Sequence, residues 1–310
     1  GRVTALSRFG EDTFFYDFIK DDELNRLGKP SRYTVPFQGK NYLWDRKQQE
    51  ALALLKRYDY EAVNKVLSAY FAQPESDEQN GDLIGRIEKL IKAAILWNHG
   101  DFEDFGSSLG ETALTRSRQW WWIGYEAAYL GVIRFKQGNT IEAMFHSFRA
   151  VEGLMSEWAM YSFPNHITRR DRFADLAKGK VPLVNKSIAR LPGLQNYLNQ
   201  FKGESEIALY GPNLDNLVQL AKPSYKQNRD MQKFWDVAKN WRNQLFHRLL
   251  GLQKEEVFLA WETYTQKEWE GRVLSCLNFL SEQRFLALSE SSLMAQVHEE
   301  LLEAIAAYQP

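Results

Sequence analysis

Apolar positions recur at spacings of three and four over most of the chain from Arg46 onward, broken by short polar turns, and that period marks helices. The pattern predicts a helical hairpin over 48–57 and 60–72, with Asp59 as N-cap of its second arm. An acidic, polar loop over 74–81 separates it from a helix over 83–99, which Gly100 stops. A shorter helix is expected over 102–109, a long one over 112–137, and another that Thr140 caps and that runs through Trp158. Residues 161–227 carry Pro164, Pro182, Pro192, Pro212 and Pro223, and read as an insertion with only short helical pieces. Helices resume over 229–250, 254–264, 266–283 and 293–308. Upstream, residues 1–46 read as an irregular connector broken by Gly10, Gly28, Pro30, Pro36 and Gly39. Within it, residues 14–19 suit one short helix and residues 32–35 an extended piece. No stretch alternates with period two for any length, so the expected fold class is all-α. The expected division is a connector over 1–46, a helical linker domain over 47–138, and a bundle over 139–310 with its insertion at about 161–227.

The most informative helix is the one over 229–250. Phe234, Val237, Ala238, Trp241, Leu245 and Leu249 form its apolar stripe, and Gly251 ends it. Set into that helix are Arg242, Asn243 and His247. At about 100° per residue, Asn243 and His247 share a face one turn apart, and Arg242 lies roughly 140° around from His247 with a fork long enough to reach back. A permanent cation, an amide and an imidazole on one helix suit work on a phosphate. Arginine stabilises charge on phosphoryl oxygens, and histidine exchanges protons near neutral pH.

An arginine followed by asparagine, with a histidine five positions beyond it on a Trp-rich helix, resembles the signature of HEPN domains, matched here by Arg242, Asn243 and His247. A second stretch, Phe148-Arg149-Ala150-Val151-Glu152, resembles the helix that opens the HEPN bundle of the CARF–HEPN ribonucleases accompanying type III CRISPR systems. His146 stands there where an arginine-like residue is expected. The resemblance covers roughly residues 50–290. It implies a HEPN-type bundle and a metal-independent endoribonuclease that needs no cofactor. The RNA 2′-hydroxyl would attack the adjacent phosphate, leaving a 2′,3′-cyclic phosphate and a 5′-hydroxyl. It further implies single-stranded RNA as substrate and a homodimer that brings two motif helices together. A CARF sensor that binds cyclic oligoadenylate would regulate the nuclease. That Rossmann-like sensor is expected to be absent from this sequence, which opens Gly1-Arg2 without Met and reads as the effector part of a longer protein. The alternatives are an inactive HEPN-like dimerisation or RNA-binding module, and the toxin of a toxin–antitoxin pair.

Composition adjusts this picture only slightly. At 310 residues, 44% hydrophobic and 25% charged, the chain is long enough for a substantial core. A net charge of −1 excludes a nucleic-acid binder whose whole surface is basic, so any RNA site must be locally basic. The single Cys276 forms no internal disulfide, no cysteine cluster offers a zinc site, and the cytoplasm is the expected compartment. The apolar stretch over 120–135 contains Glu126 and Arg134 and reads as a buried helix, with no membrane span.

The remaining candidates each have an ordinary structural reading. Arg149 and Glu152 are spaced for a local ion pair; alternatively, one of them orients the motif arginine or histidine, or contacts RNA. His146 reads as a packed or surface residue, and His99 as a favourable end to its helix. His166 stands near Arg169-Arg170-Asp171-Arg172, a cluster that is either solvated and partly neutralised by Asp171 and Asp175 or placed to hold RNA phosphates. Trp120-Trp121-Trp122 reads as core packing rather than a base-stacking platform.

Overall fold

A computed structural model describes residues 2–9, 12–19, 39–72, 81–171, 180–246 and 251–309. Helices dominate these residues, as the periodicity predicts. The extended piece expected over 32–35, and the loop expected over 74–81 except Gly81, lie outside the described residues. Two compact units divide the chain: residues 1–91 with 300–310, and residues 92–299.

The first unit begins with strands β1 (Arg2–Phe9) and β2 (Asp12–Ile19), paired antiparallel from Arg2↔Ile19 to Phe9↔Asp12. This corrects the short helix expected over 14–19. Thr13, Phe14, Phe15, Tyr16, Phe18 and Ile19 are strand formers, and Gly10 falls between the strands where hairpins favour glycine. Helix α1 (Gly39–Leu55) starts nine residues before the expected 48. Its Trp44 is buried with its ring 4.6 Å from that of Tyr308 and 6.3 Å from that of Phe71, and Gln48 Nε2 donates to the Ile305 carbonyl at 2.9 Å. Helix α2 (Tyr60–Phe71) closes the expected hairpin, and Asp59 Oδ1 caps it by accepting from the Ala62 amide at 3.2 Å.

Helix α3 (Gly81–Asn98) is followed by α4 (Phe102–Ser108), α5 (Glu111–Ser117), α6 (Trp122–Lys136) and α7 (Thr140–Ser162). The single helix expected over 112–137 is thus two, broken at residues 118–121. There Trp121 and Trp122 turn inward and Trp120 stacks on Tyr161 at 5.1 Å. Helix α7 is capped by Asn139, whose Oδ1 accepts from the Glu142 amide at 3.2 Å. Thr140, the expected cap, instead donates to the Leu252 carbonyl at 2.6 Å. Helices α6 and α7 pack closely because glycine stands where they approach. A Cβ on Gly131 would meet the Ala143 carbonyl oxygen at 3.2 Å, and one on Gly124 would meet the Leu154 side chain at 3.1 Å. Helix α6 is buried nearly all round, as expected. Its Glu126 accepts from Trp97 Nε1 at 2.9 Å, Ser292 Oγ at 2.6 Å and the Leu293 amide at 2.5 Å, and burial pushes its carboxyl up despite these bonds.

Residues expected to hold only short helical pieces contain a three-stranded antiparallel sheet, in order β3 (Ile167–Asp171), β4 (Lys180–Asn185) and β5 (Glu206–Ala208). They also hold helix α8 (Gly211–Ala221). Pro182 sits in the central strand opposite Arg169, and a proline there argues against a strand when the sequence is read alone. The helix expected over 229–250 is a composite: α9 (Arg229–Lys233), a π-helical turn (Phe234–Ala238) and α10 (Lys239–Phe246). Helices α11 (Lys254–Ala260), α12 (Gln266–Ser281), α13 (Leu288–Ser291) and α14 (Leu293–Ala307) complete the chain.

Candidate functional site

The site lies where α7 meets α10. Phe145, Phe148, Arg149, Glu152 and Ser156 fall on one face of α7, at spacings of three and four. Arg242 of α10 lies across that face. Its guanidinium carbon stands 3.9 Å from the centre of the Phe148 ring, and its Nη1 is 3.6 Å from Glu152 Oε2. Its Nε and Nη2 donate to Asn243 Oδ1 at 3.1 and 2.8 Å. Phe148 rests in turn on Phe234 at 4.8 Å, and Phe234 on Trp261 at 5.7 Å, so the arginine sits on a buried aromatic stack. The planar fork gains from all three partners at once: a ring face, an anion and an amide oxygen.

The π-turn at Phe234–Ala238 sets the phase of everything after it. Such a turn accommodates one extra residue, so α10 presents a different face from the one an uninterrupted helix would present. Asn240 Nδ2 donates to the Asp236 carbonyl at 2.7 Å, giving a partner to a backbone oxygen within that turn. The structure brings Arg242 and Asn243 into direct contact. His247 lies outside the described residues, so the shared face expected for Asn243 and His247 stays an expectation.

Arg242, Arg149, Glu152 and Ser156 border an open cavity of about 260 Å³, with Phe145 and Tyr210 also lining it. Glu152 makes the contact expected of it in its alternative reading, beside the motif arginine, and one other member of this group was not legible in the sequence. Glu152 forms its salt bridge among the described residues with Arg242, ninety positions away, in place of the local pair with Arg149. Tyr210, the N-cap of α8, comes from the proline-rich region with no pattern to mark it.

Other candidates find structural roles. His146 is buried against α6, and its Nδ1 has no hydrogen-bond partner. Burial, and then the charges of Arg149 and Arg134, pull its imidazole down to about 4. His166 Nδ1 lies 2.9 Å from Ser187 Oγ. Arg169 is bonded to Glu157 of α7 and to Met160 Sδ, so it is neutralised by a residue outside its own cluster. Arg172 lies outside the described residues. Among the described residues no three His, Cys, Asp or Glu side chains stand together as metal ligands would, and no helix is long and apolar enough to cross a membrane.

No family model matches the chain, and no curated protein matches it. Among solved structures, it is similar to Enterococcus italicus Csm6 bound to cyclic hexa-2′-fluoro-hexa-dAMP, with a TM-score of 0.55 and 15% sequence identity. The likeness covers 91% of this chain and 62% of that one, so the chain spans less than two thirds of the protein it matches. At this identity the likeness concerns the fold: a mostly helical chain that resembles Csm6 over nearly all of its length.

Proposed function

We propose that the chain is the helical effector part of a HEPN-class endonuclease that cuts single-stranded RNA without a metal ion. The observation that carries the proposal is the Arg242 guanidinium, held by Glu152, Asn243 and the Phe148 ring at the edge of an open cavity, in a chain with a Csm6-like fold. In this reading Arg242 binds the scissile phosphate and stabilises charge on its oxygens as the RNA 2′-oxygen attacks phosphorus. The bond to the 5′-oxygen breaks, the 2′-hydroxyl proton is lost, and a proton goes to the leaving 5′-oxygen. His247 serves in proton transfer or phosphate contact, and Asn243 orients the pair. The contacts to Asn243 use Nε and one Nη2 hydrogen, so Nη hydrogens remain to face phosphoryl oxygens. In-line attack needs a flexible backbone, which favours single strands. A two-fold pair of chains supplies a second Arg242 and His247. Regulation by cyclic oligoadenylate, of the kind that accompanies type III CRISPR systems, belongs in this reading to a CARF sensor and not to the helical part.

The test is a fluorogenic single-stranded RNA in excess EDTA. Cleavage with 2′,3′-cyclic phosphate ends is expected, abolished by Arg242→Ala or His247→Ala with helicity intact. Arg242→Lys should also be poor, because a point charge does not replace the fork. Cleavage that disappears with EDTA, or that survives both alanine variants, would sink the assignment.

A further inference from the structure

The cavity beside Arg242 holds more than a phosphate clamp requires. A phosphate needs donors and positive charge, which Arg242 and Arg149 supply. The same cavity is also lined by the aromatic side chains of Tyr210, 54% exposed, and Phe145, 43% exposed. Tyr210 is presented by extended backbone (φ −149°, ψ 168°) at the start of α8, and Phe145 comes from α7, so two separate elements bring rings to one opening that the two arginines also border. Ser156 adds a hydroxyl. Ring faces, a hydroxyl and cations in one place match a ligand that has a flat π-face, a polar edge and a phosphate. At about 260 Å³ the space lies just under the roughly 300 Å³ at which small-molecule pockets begin, the scale of one base and its sugar.

We propose that this cavity is a nucleobase subsite, which seats one unpaired base of the RNA beside the phosphate held by Arg242. The inference rests on the ribonuclease reading and adds to it a specific contact with the base. Tyr210 is the stacking platform, Phe145 borders the base, and Arg149 meets the neighbouring phosphate. A base in a duplex is already stacked and paired, so occupation of this subsite selects single strands at the site itself.

The experiment uses two fluorescein-labelled 2′-fluoro dodecamers, which cannot undergo attack by a 2′-hydroxyl: one with bases, and one abasic with the same number of phosphates. Anisotropy gives the affinity of the full chain for each. The wild type should bind the base-bearing strand about 5- to 150-fold more tightly, the range that stacking of one base on an aromatic ring provides. Tyr210→Ala should weaken that strand by a similar factor and leave the abasic one unchanged, and Tyr210→Trp should retain the preference. Arg149→Ala should weaken both strands and flatten their salt dependence. Equal affinity for the two strands in the wild type would overturn the subsite, as would a Tyr210→Ala loss shared equally by both. If fluorogenic RNA is still cut in an Arg242-dependent way in those cases, the ribonuclease reading stands and only the subsite falls. If neither strand binds and no RNA is cut, the ribonuclease reading itself fails and takes the subsite with it.

Discussion

Glu152 and His146 lie six residues apart on α7, and their environments give them opposite consequences. Glu152 is about one quarter exposed, and an ion pair in such a place adds at most about 1 kcal/mol to stability. Its effect on Arg242 is geometric, since it holds one end of a fork whose other end Asn243 holds. Glu152→Ala should therefore leave the melting temperature within a few degrees of the wild type. It should lower kcat for RNA cleavage about tenfold or more, with Glu152→Gln recovering part of the loss. A large drop in melting temperature with kcat unchanged would make Glu152 structural only. His146 is the reverse case, with no place in the cavity and a buried imidazole held down to about 4. Because the folded chain takes up this proton less readily than the unfolded one, its contribution is present above about pH 6.5 and is lost as pH falls towards 4. The loss amounts to about 3 kcal/mol at most. His146→Leu, which also removes an unpartnered Nδ1, should show a flatter decline in denaturant stability between pH 6.5 and 4. An unchanged slope would mean that the imidazole protonates freely in the folded chain. Sequence spacing leaves Glu152 two readings, a local pair with Arg149 or a contact with the motif arginine, and it gives no direction for the His146 imidazole; only the packing of α7 against α10 separates the first two.

At the scale of elements, the sequence was most legible where structure is local. Asp59 caps its helix as read, Gly100 stops α3 with φ +79°, and the helices over 266–283 and 293–308 fall where the periodicity puts them, while the one that starts at Lys254 ends at Ala260, four residues early. It was least legible where contacts from distant segments override the local pattern. Pro182 is tolerated in the central strand because β5 pairs only with Leu183, Val184 and Asn185, so the missing N–H falls beyond that ladder, and its carbonyl accepts from the Leu209 amide at 2.8 Å, an arrangement no short window reveals. The helix over 112–137 breaks where Arg116 Nη1 reaches the Glu290 and Ser291 carbonyls, at 3.2 and 3.1 Å. The π-turn is the most consequential of these departures, because the periodicity of its apolar residues reads as an uninterrupted helix while the backbone accommodates one extra residue. Deleting exposed Asp236 removes the extra residue that the turn accommodates, so the turn should become regular α-helix with Arg242 kept on its present face. Circular dichroism should report nearly unchanged helix content, with RNA cleavage within about tenfold of the wild type. A hundredfold loss at unchanged helicity would show that the turn does more than set the phase of α10.

For the whole molecule, the mostly helical class follows from periodicity because each helix is written in its own residues. The meeting of α7 and α10 is not, since it joins segments about ninety residues apart. The proposed chemistry goes further and needs residues from two chains. One chain provides one Arg242 on one side of a phosphate, whereas a two-fold pair closes the site with a second set, and closed two-fold pairs are the commonest oligomers. Besides the rings of the cavity, Trp241 is 42% exposed and adjacent to Arg242, and Ile141 is 43% exposed one turn before Phe145 on α7. Light scattering at micromolar concentration should give twice the 36.2 kDa chain mass. Trp241→Glu places a charge where a second copy would have to remove it from water, so this variant should scatter as a monomer, keep its helicity and lose cleavage. Mixing an Arg242→Ala chain with an equal amount of His247→Ala chain then separates two ways of sharing the work. If each half-site is assembled across the axis, some activity returns in the mixture; if both copies must be intact together, none does. A wild-type monomer that cuts RNA at the full rate would refute the shared site and leave one Arg242 to act on its own.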